Sequence, residues 1–139
     1  AAKEAGKRVW DLAGLPGPVA LATAYTLSLG APEDMRQAAA RNAFRPILKI
    51  KLGTPDDLPR LEAVREGAPQ ARLIIDANEG WTPETYIDLA PHLLRLGVAL
   101  VEQPFPAGQD SVLADLPRPI PICADESCFD RASLPGLQG

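Results

Sequence analysis

The sequence predicts an α/β protein built on a parallel sheet, and three observations carry that prediction. Five apolar, partly β-branched runs recur along the chain, at 19–30, 47–53, 72–80, 97–106 and 120–127. Between them lie segments with helical periodicity and with helix-start and helix-stop residues in the right order. Four of the runs also end in a charged residue, Lys51, Asp76, Glu102 and Asp125, at intervals of 25, 26 and 23 residues. That spacing matches one strand-helix unit per interval. Nearly continuous apolar strands alternating with helices describe a parallel sheet covered by helices, with right-handed connections.

Taken in order, the leading segment AAKEAGKRVWDLAG reads as a helix and VALATAYTLSLG as the first strand. APEDMRQAAARNAF is the next helix, because Pro32 suits a first-turn position and Glu33 and Asp34 favour the positive helix end. ILKIKLG is the second strand. DDLPRLEAVREG then sets Leu58, Leu61, Ala63 and Val64 in amphipathic order and ends at Gly67. RLIIDANEG is the third strand. In TPETYIDLAPHLLRLG, Thr82 is a cap, Pro83 a start and Gly97 a stop, with a kink expected at Pro91. GVALVEQPFP is the fourth strand, DSVLADLP a short helix and IPICADES the fifth strand. The 15 prolines fall mainly at helix starts and after strands, where they punctuate an α/β chain without disordering it.

At 139 residues the chain is long enough for one domain with a real core. Its 14 Lys+Arg against 18 Asp+Glu lack the basic excess that neutralises phosphates or anionic lipid, so neither nucleic acid nor a membrane surface is an expected partner. The N-terminus carries charges where a signal peptide has its apolar region, and no run approaches a membrane span, so the protein reads as cytoplasmic. The start without Met reads as a processed or excised segment. Cys123 and Cys128 lack CxxC spacing and read as reduced thiols in the core or near the site. His92, the single histidine, lies on the polar side of a helix, so Ser/His/Asp chemistry has no support, and no phosphate-binding glycine loop is present.

The chemistry concentrates at the strand ends. In a parallel sheet the C-terminal ends of successive strands lie side by side, so Lys51, Asp76, Glu102 and Asp125 are expected to share one rim. Three crowded carboxylates repel, and staying ionised calls for a cation; an all-oxygen ligand set suits a hard ion such as Mg²⁺. Taken singly, each acid reads equally well as a turn former or helix cap, and the regular spacing is what lifts them to candidate ligands. Two of the four lysines, Lys49 and Lys51, stand two apart within ILKIKLG and so point to one face. Two ammonium groups that close, partly desolvated and near a divalent ion, are each expected to find the charged form disfavoured, which lowers the pKa and makes Lys51 a candidate general base; arginine cannot serve because it stays protonated. Asn78 and Glu79 read as supports for the site or as plain turn residues, Glu126 as a partner for a lysine or a solvated acid, and Thr26 as a hydrogen-bonding group for a substrate or for its own backbone.

The motifs KIK (49–51), DANEGW (76–81), VEQP (101–104) and ADES (124–127), in that order, resemble the muconate-lactonising branch of the enolase superfamily. Within it, TAYTLSLGAPEDM, LKIKLG and PICADESC are most similar to the dipeptide epimerases of the L-Ala-D/L-Glu group. The resemblance implies a (β/α)8 TIM-type barrel, of which 1–139 supplies about five parallel βα units. It implies Mg²⁺ on Asp76, Glu102 and Asp125, Lys51 as acid/base on one face of the substrate α-carbon, and Lys49 as its electrostatic partner near the substrate carboxylate. Thr26 is implied as a substrate contact. The reaction implied is 1,1-proton transfer on a dipeptide through an enolate stabilised by Mg²⁺ and Lys49. The family's second base, a lysine on the next strand, falls beyond Gly139, as do the last barrel strands, and the N-terminal capping domain is also absent. By this reading the 139 residues are catalytically incomplete, and five strands cannot close a barrel, so the open edges call for further chain or pairing between copies.

Related enolate chemistries, such as those of o-succinylbenzoate synthase or muconate cycloisomerase, fit the same metal and lysines. A fragment that binds metal without catalysis is a third reading. A signalling receiver domain also gathers acids and one lysine at strand ends, but with its acidic pair at the first strand and its lysine at the last, the reverse of the order here.

Overall fold

A computed structural model describes residues 1–54 and 56–137. Its five strands form one sheet in sequential order: β1 (Tyr25–Leu27), β2 (Ile47–Lys51), β3 (Arg72–Asp76), β4 (Val98–Glu102) and β5 (Ile122–Cys123). All four pairings are parallel. Helices α1 (Val9–Leu12), α2 (Pro32–Arg41), α3 (Asp57–Gly67) and α4 (Pro83–Arg95) precede or link the strands, and a 3-10 helix, Asp110–Asp115, stands before β5.

Alternation along the strands divides the sheet into two chemically different faces. Leu27, Leu48, Ile50, Leu73, Ile75 and Val101 are buried together with Met35, Leu61, Val64, Tyr86 and Leu93 from the helices, which forms the core. The opposite face carries Thr26, Lys49, Lys51, Ile74, Asp76, Leu100 and Glu102 in register. A one-residue irregularity keeps β4 in step: Leu73 pairs with Val98, but Ile74 pairs with Leu100. Without this bulge Val98 and Val101, three apart, would face opposite sides, and Glu102 would not stand across from Asp76.

Several elements are shorter than the sequence predicts. The run 19–30 yields only Tyr25–Leu27, because Tyr25 already pairs with Leu48, one residue from the start of β2, and earlier residues find no neighbour to bond. The leading helix contracts to the single turn Val9–Leu12, with no buried residue. A helix that short needs tertiary packing to persist over 14 residues, and this segment has none. The run 120–127 contributes Ile122–Cys123, after which the chain bends away toward Gln103. Thr82 caps α4 as expected, accepting from the Thr85 N–H at 3.2 Å, and α4 runs across the exposed Pro91 to Arg95. Among the described residues no helix is long and apolar enough to cross a membrane.

Candidate active site

The ends of β2, β3 and β4 place Lys51, Asp76 and Glu102 side by side in one register row, which continues to Cys123 on β5. One row back, Thr26, exposed on β1, stands beside Lys49. Asp76 is the hub. Its Oδ2 lies 2.6 Å from Lys51 Nζ and 2.8 Å from Lys49 Nζ, while its Oδ1 accepts from the Asn78 backbone N–H at 3.1 Å. Lys49 Nζ also reaches both oxygens of Glu102, at 2.8 and 2.9 Å, so one ammonium bridges two carboxylates. Lys51 donates in addition to Asn78 Oδ1 at 2.8 Å, which makes Asn78 a support for that lysine and not a mere turn residue.

These contacts set the charge balance at Lys49. Burial alone would lower the Lys49 pKa, but the hydrogen bonds and charges of Asp76 and Glu102 outweigh it and raise that pKa. An oxygen of Asp76 lies between the two lysines, and at Lys49 the attraction of the two carboxylates outweighs the cost of burial. Asp76 shows the complement. Burial would raise its carboxyl, yet the hydrogen bonds from Lys49 and Lys51, the Lys49 charge and the Asn78 N–H together hold it below the usual carboxylate range.

Asp125 stands differently. It is exposed, on the loop beyond β5, and its backbone N–H is held at 2.9 Å by the side-chain oxygen of Gln103. Asp76 and Glu102 are drawn together by the shared Lys49, but among the described residues no group of three or more His, Cys, Asp or Glu is gathered so as to hold a metal ion. The donor chemistry nevertheless suits a hard cation: carboxylate oxygens line the rim, and two of the carboxylates already share one positive charge. Beside them, Glu126 Oε2 is buried without a hydrogen-bond partner, while its Oε1 accepts from Asn78 Nδ2 at 3.5 Å.

Both cysteines are free thiols. Burial, then the charges of Glu102 and Asp125, push the Cys123 thiol up and keep it neutral. His92 sits in the last turn of α4 beside Arg95, away from the strand ends. A hollow of about 860 Å³ opens between β5 and the 3-10 helix, lined by Leu113, Ile120, Ile122 and Leu137, and neither lysine borders it.

Asp57 with Trp81, the Gly53–Gly80 contact and Gln103 support the rim and escaped the sequence reading, whereas Glu79 was one of its two-way readings. Asp57, fully buried, accepts from the Gly53 and Thr54 N–H groups at 2.7 and 2.9 Å and from Trp81 Nε1 at 2.8 Å, tying the loop after β2 to the loop after β3. Those two loops meet where Gly53, at φ +125°, lies against Gly80; a side chain at either would strike the other's backbone or that of Ala77. Glu79 accepts from the Ala107 N–H at 2.6 Å, and buried Gln103 binds the Asp125 loop. The signal for Asp57 and Trp81 was faint, an acid at a helix start and an aromatic after DANEG, each read within its own segment.

Lysines and acids at the carboxyl rim of a parallel sheet do not by themselves name a family, but the sequence match does. The enolase C-terminal domain-like family matches residues 5–137. The chain belongs to that family. Its five strands correspond to part of the barrel domain of enolase-superfamily structures. An L-Ala-D/L-Glu epimerase of Escherichia coli is 40% identical over 141 residues, which span all of this chain and 44% of the relative. An N-acetyl-D-glutamate racemase of a Pseudoalteromonas species is 41% identical over 116 residues, 84% of this chain and 37% of the relative. Among solved structures, an enolase family member of Agrobacterium tumefaciens with homology to dipeptide epimerases, holding sodium and L-Ala-L-Glu, superposes with a TM-score of 0.91 at 49% identity, covering 98% of this chain and 42% of that one. A dipeptide epimerase of Cytophaga hutchinsonii with Mg and D-Ala-L-Val superposes with a TM-score of 0.84 at 30% identity, covering 98% and 39%. The chain thus spans less than half the length of these relatives.

Proposed function

We propose that the protein serves a Mg²⁺-dependent isomerase that epimerises dipeptides of the L-Ala-D/L-Glu type by 1,1-proton transfer through an enolate. The observation that carries this reading is the row Lys51, Asp76, Glu102, in register across three strand ends, with Lys49 bridging the two acids. Removing a proton next to a carboxylate needs a base at the carbon and positive charge at the oxygens, and this row offers both. Lys51 exchanges the α-proton at Nζ on one face of the substrate. Lys49 pairs with the substrate carboxylate, and Thr26, beside it, contacts the substrate.

Asp76, Glu102 and Asp125 would hold Mg²⁺, which when bound supplies electrostatic stabilisation to the negative charge developing on the carboxylate oxygens. Both ammonium groups pair with Asp76, which holds Lys49 and Lys51 at the same rim. By this reading residues 1–139 are part of a barrel domain, and an N-terminal capping domain and further strands complete the enzyme. The partner is a small dipeptide, the compartment is the cytoplasm, and the lack of a basic excess speaks against nucleic acid or a membrane surface. The relatives named as epimerases support the substrate class.

A second reading has its own support: the relative named N-acetyl-D-glutamate racemase matches as closely in identity. Both names share a glutamate acylated on nitrogen, so that acylated glutamate is the common denominator. The test follows loss of the α-proton signal by NMR in D2O with Mg²⁺, for L-Ala-D-Glu, L-Ala-L-Glu and N-acetyl-D-glutamate, using the intact protein. Exchange in the dipeptides, reduced about 10²- to 10⁴-fold in Lys51→Ala, is expected. No exchange in any acylated glutamate by the folded protein, or unchanged exchange in Lys51→Ala, would refute the reading.

A further inference from the structure

Gln103 is buried completely and holds a backbone φ of +36°, a left-handed conformation that a residue with a side chain adopts only where its surroundings demand it. Its main chain is tied to both neighbouring strand ends: its N–H donates to the Cys123 carbonyl at 2.8 Å, and its carbonyl accepts from the Glu79 N–H at 2.9 Å. The side-chain amide is fully engaged. Oε1 accepts from the N–H groups of Asp125 and Ser127 at 2.9 and 3.1 Å. Nε2 donates to the Phe105 carbonyl at 2.8 Å, to Ser127 Oγ at 2.9 Å and to Asp110 Oδ1 at 3.3 Å. One residue, directly after Glu102, therefore joins the loops that follow β3, β4 and β5.

Asp125 depends on this clamp. Its residue is exposed, and its peptide is fixed by the Gln103 amide on one side and by the Cys128 N–H bonding its carbonyl at 2.9 Å on the other. We propose that Gln103 is a positioning residue whose carboxamide aims the Asp125 loop at the rim shared by Glu102 and Asp76. This rests on the metal role given to those acids above. An amide suits the task where a carboxylate does not, because one end must accept from two N–H groups while the other donates to a carbonyl and to an acid. A hydrogen-bonded support behind a ligand sets that ligand's direction, and removing such a support weakens metal binding about 10- to 100-fold.

The test compares wild type, Gln103→Met, Asp125→Asn and the double variant by Mg²⁺ titration calorimetry, and follows amide hydrogen exchange at Asp125 and Ser127. Gln103→Met keeps the length and apolar stem but removes both hydrogen-bonding ends. Expected are faster exchange at those two amides and a fall in Mg²⁺ affinity of about tenfold or more, with the double variant no weaker than Asp125→Asn alone. Lowered thermal stability with both amides still protected and Mg²⁺ affinity unchanged would reduce Gln103 to a packing residue and overturn the proposal. Should Asp125→Asn leave Mg²⁺ affinity intact, the metal role of Asp125 fails, while the exchange measurement still decides whether Gln103 orders the loop. Gln103→Glu keeps the accepting oxygen and covers the case in which Gln103→Met does not fold: protection at Asp125 and Ser127 should persist while the 105–110 loop loosens, and loss of that protection contradicts the clamp.

Discussion

The ends of β2, β3 and β4 and the rim beyond β5 carry the same kind of residue under opposite mechanical regimes. At the first, Asp76 is buried at a strand end, locked in register between Lys51 and Glu102 and held by two ammonium groups. At the second, Asp125 is exposed on a loop after a two-residue strand and is placed through a neighbour's amide. The contrast teaches that this site takes its rigidity from sheet register on one side and from a tether on the other. Where register forces them together, the Asp76 pKa is lowered and the Lys49 pKa raised.

The comparison breaks first at Asp76. Asp76→Asn removes the carboxylate that two lysines face, and it should destabilise the fold by about 2–3 kcal/mol in denaturant unfolding, below the full figure for a buried pair because both lysines reach solvent. An effect under about 0.5 kcal/mol would mean that the strand-end network adds nothing. Trp81→Phe comes next. It leaves Asp57 without one donor in a buried network, and the unfolding midpoint should report a loss of about 1–2 kcal/mol.

Acidity separates the two regions more gently. The lowered pKa of Asp76 means that its contribution is present above the ordinary carboxylate value of 3.8 and is lost as pH falls through the lowered one. The raised pKa of Lys49 means that its contribution is present below the ordinary 10.5 and is lost as pH rises through the raised one. Thermal unfolding across pH should therefore show the gap between wild type and Asp76→Asn widest between those limits and shrinking at the acid end. A gap that grows on acidification would contradict the pairing. The smallest effect belongs to Asp125→Asn, which should leave unfolding within about 0.5 kcal/mol of wild type. A larger loss would place Asp125 in the same regime as Asp76.

This division also explains what the sequence made legible. Strand identity and order were readable because Leu48, Ile50, Leu73 and Ile75 repeat with a period of two, and Lys49 and Lys51 fall on the other face by the same rule. The spacing of Lys51, Asp76 and Glu102 located three residues that register does bring together. Lengths were less readable, since β1 ends where β2 offers no partner, a fact about the neighbouring strand and not about residues 19–24 themselves. The ion pairs of Lys49 were less readable, because two lysines in one strand are visible in sequence, whereas the carboxylates that pair with Lys49 arrive from β3 and β4. Gln103 and Asp57 were missed for a related reason. Their partners lie 22 and 24 residues away, across loops that carry no periodic signal.

The central claim is that the strand-end acids and the loop acid serve one cation. The most direct measurement is a crystal structure of the intact protein grown with Mn²⁺ in place of Mg²⁺, the ion being located by its anomalous signal. The account predicts one ion contacted by oxygens of Asp76, Glu102 and Asp125, with Lys49 no longer bridging the first two. An ion bound elsewhere, or Lys49 still seated between Asp76 and Glu102 with Asp125 turned to solvent, would contradict it.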